Sequence, residues 1–184
     1  LLGLTGPTIF TIGHSDHTAG EFVALLDRHD ISSLVDTRST PHSAYLPHFN
    51  REFLSHRLGR AGVRYLWMGD ALGGKPQDKS LYDSQGVPDY ARMRAAASFK
   101  EAIDKLVKGA RLERIAVMCG EEDPANCHRR LLVGHALVER GIHVVHIRGD
   151  CGLEPEHVAG LYQRVADRGA QLALIAEAVS PYHA

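Results

Sequence analysis

Two nearby cysteines, a histidine and an arginine form the densest reactive cluster in this chain. Cys119 and Cys127 stand eight residues apart, and His128 and Arg129 follow directly. Two thiolates and an imidazole suit zinc. The spacing is not that of a common zinc knuckle, however, and His14 would have to complete the set from far along the chain. As a nucleophile, Cys127 would gain from a helix N-terminus, whose dipole lowers thiol pKa, and from the positive potential of His128 and Arg129. A phosphatase-type loop needs an Arg six residues after its Cys; Cys119 has Ala125 at that offset and Cys127 has Val133. This argues against Cys-dependent phosphoryl transfer, and a rhodanese-like sulfur-transfer loop fails on the same geometry. The plain alternative is that Cys119 is a small buried hydrophobe at a strand end.

His14 and Ser15 form a second pair. Histidine is the side chain most easily tuned for proton transfer near neutral pH, although a loop His can equally hold its turn by bonding to backbone. Asp36 and Arg38 form a third. They can pair with each other, or Arg38 can grip phosphate or carboxylate with its planar fork, with Arg129 facing it. Glu121 offers a carboxylate for proton transfer or for a sugar hydroxyl, or a structural ion pair with Arg129. Tyr65, Trp67, Tyr82 and Tyr90 could stack on a base or simply anchor loops. Leu72-Gly-Gly-Lys75 is not a P-loop, and no Gly-x-Gly-x-x-Gly follows the first strand. No cofactor is implied.

Elements that would position these groups are legible from periodicity. Thr8–Gly13, Ile31–Asp36, Arg64–Met68, Arg114–Cys119 and His143–Ile147 are short runs, most of them rich in β-branched residues, that read as strands. Thr18-Ala-Gly-Glu21 is a capping box opening a helix with Phe22, Leu25, Leu26 and His29 on one face. Asn50 is placed to cap a helix with Phe53, Leu54, Arg57 and Leu58 on one side. Gly69–Pro88 reads as loop. A helix is predicted over about Tyr90–Lys108, with Ala96, Phe99, Ile103 and Leu106 in register. Another carries Leu131, Leu132 and His135. Pro155 suits the first turn of a last helix bearing Val158, Leu161, Val165, Leu172 and Ile175.

Strands separated by helices imply a three-layer, Rossmann-like α/β fold: an open sheet of about five mainly parallel strands with helices on both faces. The chain reads as one domain, 1–184, with a core over about 8–150 and a C-terminal helix over about 154–179. Ligands of such sheets bind beyond the carboxyl ends of the strands. His14, Ser15, Asp36, Arg38, Ser39, Cys119 and Glu121 all fall there. The expected strand order is 3-2-1-4-5, with the first- and fourth-strand loops flanking the crevice.

Thr11-Ile-Gly-His-Ser15, Val35-Asp-Thr-Arg-Ser39, Pro41, Pro47-His-Phe-Asn50, Leu72-Gly-Gly74 and the run from Cys119 to Arg129 occur in one order. As an ordered set, from about Thr8 to Ile147, they resemble the bacterial and archaeal family called domain of unknown function 488. The resemblance supports the fold and the site, to which it adds Asn50, Gly73 and Gly74; the family carries no assigned chemistry. Ala44 stands where relatives often have a basic residue, so Pro41–Phe49 is not expected to bring charge to an anion pocket.

The totals narrow the function classes. The chain has 184 residues, a formal net charge of −1 and 44% hydrophobic residues. That is a globular composition without the basic excess that nucleic-acid binding by counterion release usually requires. Three cysteines, Cys119, Cys127 and Cys151, do not make a disulfide framework and fit a cytoplasmic protein. No apolar run is long enough to span a bilayer, and Leu1–Pro7 does not read as a signal peptide. The leading expectation is a hydrolase or transferase acting on a small phosphorylated or nucleotide-like ligand. His14, Glu121 and Cys119 form its catalytic set, and Ser15, Asp36, Arg38, Ser39, Asn50, Gly73, Gly74, Cys127, His128 and Arg129 its ligand-binding set, with no metal. The alternatives are a non-catalytic nucleotide or nucleic-acid binding module and a Cys/His metalloprotein. Oligomeric state is not legible.

Overall fold

Strand β1 (Thr8–Gly13) and strand β4 (Ile115–Cys119) are buried along almost their whole length, and this places them at the centre of the sheet. A computed structural model describes residues 6–179, with side chains to 169. Around the central pair lie β2 (Ser33–Asp36), β3 (Arg64–Trp67), β5 (His143–Ile147) and a short edge strand, β6 (Leu153–Pro155), in the order β3-β2-β4-β1-β5-β6. Every pairing is parallel except β5 with β6.

Successive residues of a strand face opposite sides, and the core divides accordingly. Helix α1 (Ala19–Arg28) and helix α2 (Arg51–Arg60) pack on one face over Phe10, Ile12, Leu34, Ala116, Met118 and Val145. The other face carries α3 (Gly69–Leu72), α4 (Tyr90–Ala95), α5 (Ala97–Gly109) and α6 (His135–Glu139) over Ile9, Val35, Ile115, Val117 and Val144. Connections out of β1 and β2 therefore run along one face, and those out of β3 and β4 along the other, as right-handed crossovers require. Helix α7 (Val158–Val179) ends the described chain.

The observed order corrects the expected 3-2-1-4-5, because β4 inserts between β2 and β1. Both β1 and β4 are apolar toward both faces, so the pattern suits either arrangement, and only interdigitation of side chains decides. The insertion matters for the site. The end of β2 now adjoins the end of β4, and side chains of β2 and β1 must meet across it.

Five further readings change. Gly69–Pro88, read as loop, opens with α3 and holds a 3-10 turn over Lys79–Leu81. Phe53 lies 65% exposed, while Leu54 and Leu58 make the apolar contact of α2. Asn50 heads α2 without a side-chain cap, its Oδ1 instead accepting from the Ser43 amide at 2.6 Å. The predicted Tyr90–Lys108 helix is two helices, broken where Ala96 is extended. On one continuous helix Met93 and Phe99 would point about 120° apart, at 3.6 residues per turn; the break lets both enter the same core. Pro155 closes β6 rather than opening a helix, at an edge where a missing amide is tolerated. The Thr18–Glu21 capping box forms as the sequence implies.

Candidate functional site

At the carboxyl ends of β2, β4 and β1 the following connections diverge to opposite faces and leave a crevice of about 360 Å³. Arg38, Lys75, Tyr90, Glu121, Asn126 and His128 are among its lining residues.

Arg38 lies at its floor, coupled to the buried His14 and locked from behind. Arg38 Nε donates to Asp36 Oδ1 at 2.9 Å, and Nη2 donates to Asp36 Oδ2 at 2.6 Å and to the Phe49 carbonyl at 2.7 Å. Asp36 is fully buried and also accepts from the Tyr65 hydroxyl at 2.7 Å. The remaining Arg38 nitrogen, Nη1, donates to His14 Nε2 at 3.3 Å. This contact spans the end of β4 at Gly120, where even a Cβ would sit 3.5 Å from that imidazole nitrogen.

His14 Nδ1 lies 2.8 Å from the Ser15 carbonyl, which fixes the proton on Nδ1 and leaves Nε2 as the acceptor. The ring stacks on Phe49, centroids 4.3 Å apart. Burial pushes the His14 pKa down to about 4, and the Arg38 charge acts in the same direction. His14 is therefore neutral at pH 7. The Pro47–Phe49 turn thus serves the site through an aromatic ring and a carbonyl, not through charge.

A second cluster lies directly beneath the β4 loop. Arg129 opens a wide, π-helical turn (Arg129–Gly134) that runs into α6, and its side chain is fully buried. The guanidinium donates to Cys119 Sγ at 2.9 Å, to the Glu122 carbonyl at 2.6 Å, to Thr11 Oγ1 at 3.3 Å and to the Glu121 carbonyl. It holds the loop from below and does not line the crevice. Cys127 Sγ lies 2.9 Å from Cys119 Sγ. The hydrogen bond from Cys127, together with Arg129, lowers the Cys119 thiol pKa; the same bond and burial raise that of Cys127. His128 Nε2 lies 3.2 Å from both Thr37 Oγ1 and the Thr37 carbonyl, leaving Nδ1 to face Cys127 Sγ at 3.8 Å, and burial pushes its pKa down to about 4.

Backbones meet closely around these groups. A Cβ at Gly13 would lie 1.9 Å from the Glu121 carbonyl oxygen, so only glycine lets the β1 end pass the β4 loop. Gly73 and Gly74 pass Ser39 and His128 in the same way.

The residues picked out in the sequence thus separate. His14, Asp36 and Arg38 form one unit, and Cys119, Cys127, His128 and Arg129 another. Glu121 joins them: its backbone is held by Arg129 and its exposed side chain faces the crevice. Ser15, at a φ of 46°, turns its hydroxyl to Asp16. Ser39 accepts from the Lys75 amide, and Asn50 is engaged with Ser43. Phe49, Lys75 and Asn126 belong to the site but were not singled out. Lys75 follows the Gly73-Gly74 pair directly, which was the available signal; nothing in the sequence marked Phe49 as the ring under His14. Among the described residues no group of three or more His, Cys, Asp or Glu is arranged to hold a metal ion.

Fold and crevice together define an open, mainly parallel α/β sheet protein with a polar site at its strand ends. More particularly, the chain belongs to the family described as domain of unknown function DUF488, whose profile matches residues 18–136. No curated protein and no solved structure gives a significant match.

Proposed function

We propose that the crevice binds a small phosphorylated or nucleotide-like ligand, and that the protein is a hydrolase or transferase acting on it with His14 as the proton acceptor. The observation that supports this most is the locked Arg38–His14 couple at the strand ends. Asp36 and the Phe49 carbonyl fix Arg38 before any ligand arrives, so a phosphate meets a preorganised donor rather than a mobile side chain. Lys75, exposed on the crevice wall, supplies the second cation. Glu121 and Asn126 suit the hydroxyl groups of a sugar. An anion beside Arg38 would offset the charge that helps to hold His14 down, and so would make the imidazole a better base when the ligand is in place.

A binding module without chemistry is the second reading. It is favoured by the Arg38 Nη1 donor that already engages His14 Nε2. A cytoplasmic location fits the free cysteines and is proposed with either reading. No helix among the described residues is long and apolar enough to cross a membrane.

Phosphate, sulfate and common nucleotides titrated into wild type and Lys75→Ala, with thermal stability and product analysis as readouts, test both readings. Wild type should be stabilised at millimolar anion, and Lys75→Ala should bind about tenfold more weakly, the loss of one charge-assisted contact. Turnover of a bound nucleotide supports the enzyme, and binding without turnover supports the module. No stabilisation by any anion would overturn the phosphate reading.

A further inference from the structure

Arg129 carries a full charge into the core, and among the described residues no carboxylate lies within ion-pair distance of it. Its oxygen partners are two carbonyls and a hydroxyl, all neutral. An unpaired charge in a fully buried position is strongly disfavoured, which calls for a counter-ion. Among the described residues the one ionisable acid on the guanidinium is Cys119, whose Sγ receives Nη1 at 2.9 Å. Cys119 therefore fits its place as a thiolate rather than a thiol, and its lowered pKa agrees.

The second sulfur sits in the complementary setting. Cys127 Sγ is 2.9 Å from Cys119 Sγ and 3.8 Å from His128 Nδ1, the imidazole nitrogen left without a proton because Nε2 donates to Thr37. One cysteine faces a cation and its neighbour faces a hydrogen-bond acceptor. A structural pair of buried thiols needs neither, whereas a nucleophilic thiolate with a resolving thiol needs both.

We propose that Cys119 and Cys127 form a peroxide-reactive dithiol, closing to a reversible disulfide beneath the crevice. The Cys119 thiolate attacks a peroxide oxygen: an S–O bond forms, the O–O bond breaks and hydroxide leaves, giving a sulfenic acid. Cys127 then attacks the Cys119 sulfur, and its proton passes to the departing sulfenic oxygen. The S–S bond forms, the S–O bond breaks, and the oxygen leaves as water. Two electrons pass from the two thiols to the peroxide. The sulfurs need only close from 2.9 Å to the bonded separation of about 2.05 Å. Hydrogen peroxide is barely larger than water, and Gly120, Glu121 and His128, all on the crevice wall, lie next to the pair in sequence. Closure would also remove the anionic partner of Arg129, the residue that holds the Glu121 and Glu122 carbonyls, so the crevice wall would loosen on oxidation.

Peptide mapping of the full chain after hydrogen peroxide treatment, denaturation and alkylation tests the proposal. Wild type should yield a Cys119–Cys127 disulfide that dithiothreitol reverses, with Cys151 outside the bridge. Cys127→Ser should accumulate a Cys119 sulfenic acid that dimedone captures. Cys119→Ser should lose both the bridge and the ultraviolet thiolate absorbance of the native protein. If Cys119 and Cys127 both stay alkylatable in peroxide-treated wild type, or if Cys151 supplies one of the bridged sulfurs, the proposal is overturned, whatever the variants do.

Discussion

Arg38 follows the end of β2 and Arg129 opens the turn after the β4 loop, and the fold puts them to different uses. Arg38 is about 10% exposed, faces a buried carboxylate, and keeps an edge of its guanidinium at the crevice floor. Arg129 is fully buried, faces no carboxylate among the described residues, and directs its donors at the backbone of the β4 loop. One can receive a ligand and the other holds the wall against which a ligand would rest. The difference teaches that residue type and strand-end position nominate candidates, while the partners of each donor decide between binding and construction.

The sharpest way to break the comparison is to remove the buried member. Arg129→Met should cost about 3–5 kcal/mol, because buried carbonyls and the Cys119 sulfur lose their donor together. Urea unfolding checks this, and a loss below about 1 kcal/mol would show that the loop does not depend on Arg129.

Acid should act next, and on both clusters at once. His14 and His128 each have a folded pKa of about 4 against an ordinary 6.5. The unfolded chain therefore binds more protons between those values. Their contribution is fully present above about pH 6.5 and is lost as pH falls to about 4, on the order of 3 kcal/mol for each group. Unfolding free energy measured across that window should fall with pH, and His14→Asn should flatten the slope. An unchanged slope would place His14 in a wetter setting than its stacking on Phe49 implies.

Gly13→Ala probes the wall alone, since its Cβ would strike the Glu121 carbonyl that Arg129 holds. A loss of about 1–3 kcal/mol is expected, and thermal unfolding that matches wild type would mean the loop yields freely. Arg38→Lys probes the binding member by keeping the charge and removing the fork. It should weaken an anion by about tenfold, read by the same titration as Lys75→Ala. Equal binding by wild type and Arg38→Lys would reduce Arg38 to a partner for Asp36. Farthest from both arginines in effect, Phe53→Ser should change stability by less than about 0.5 kcal/mol, because the side chain is exposed.

Much of the frame could be read from the chain. The bounds of β1 and β5 and the Thr18–Glu21 cap follow from local pattern, because apolar runs and capping side chains act over a few residues. The strand order did not, since β1 and β4 are equally apolar and their neighbours are chosen by packing over long separations. The candidate site divided in the same way. That Asp36 could pair with Arg38 was among the readings the sequence left open. The burial of Arg129 was not, because a basic residue in a first helical turn ordinarily reaches solvent, and only the carbonyls of a folded loop make the interior acceptable to it. Phe53 and Pro155 misled for the opposite reason: a large apolar side chain and a helix-starting residue carry strong local signals that tertiary context overrode.

The position of β4 between β2 and β1 also governs how the chain can assemble. Ile9 pairs with Ile115 and Thr8 with His143, so β1 has no sheet partner in the first half of the sequence. As the chain emerges during synthesis, β2 and β3 can join, but β1 waits with both edges open until β4 appears. Contacts so distant in sequence close late and slow the search for the native state. The apolar strand that ends at Gly13 is thus the segment most in need of protection before folding completes, and any fragment ending before Ile115 would leave it without a neighbour.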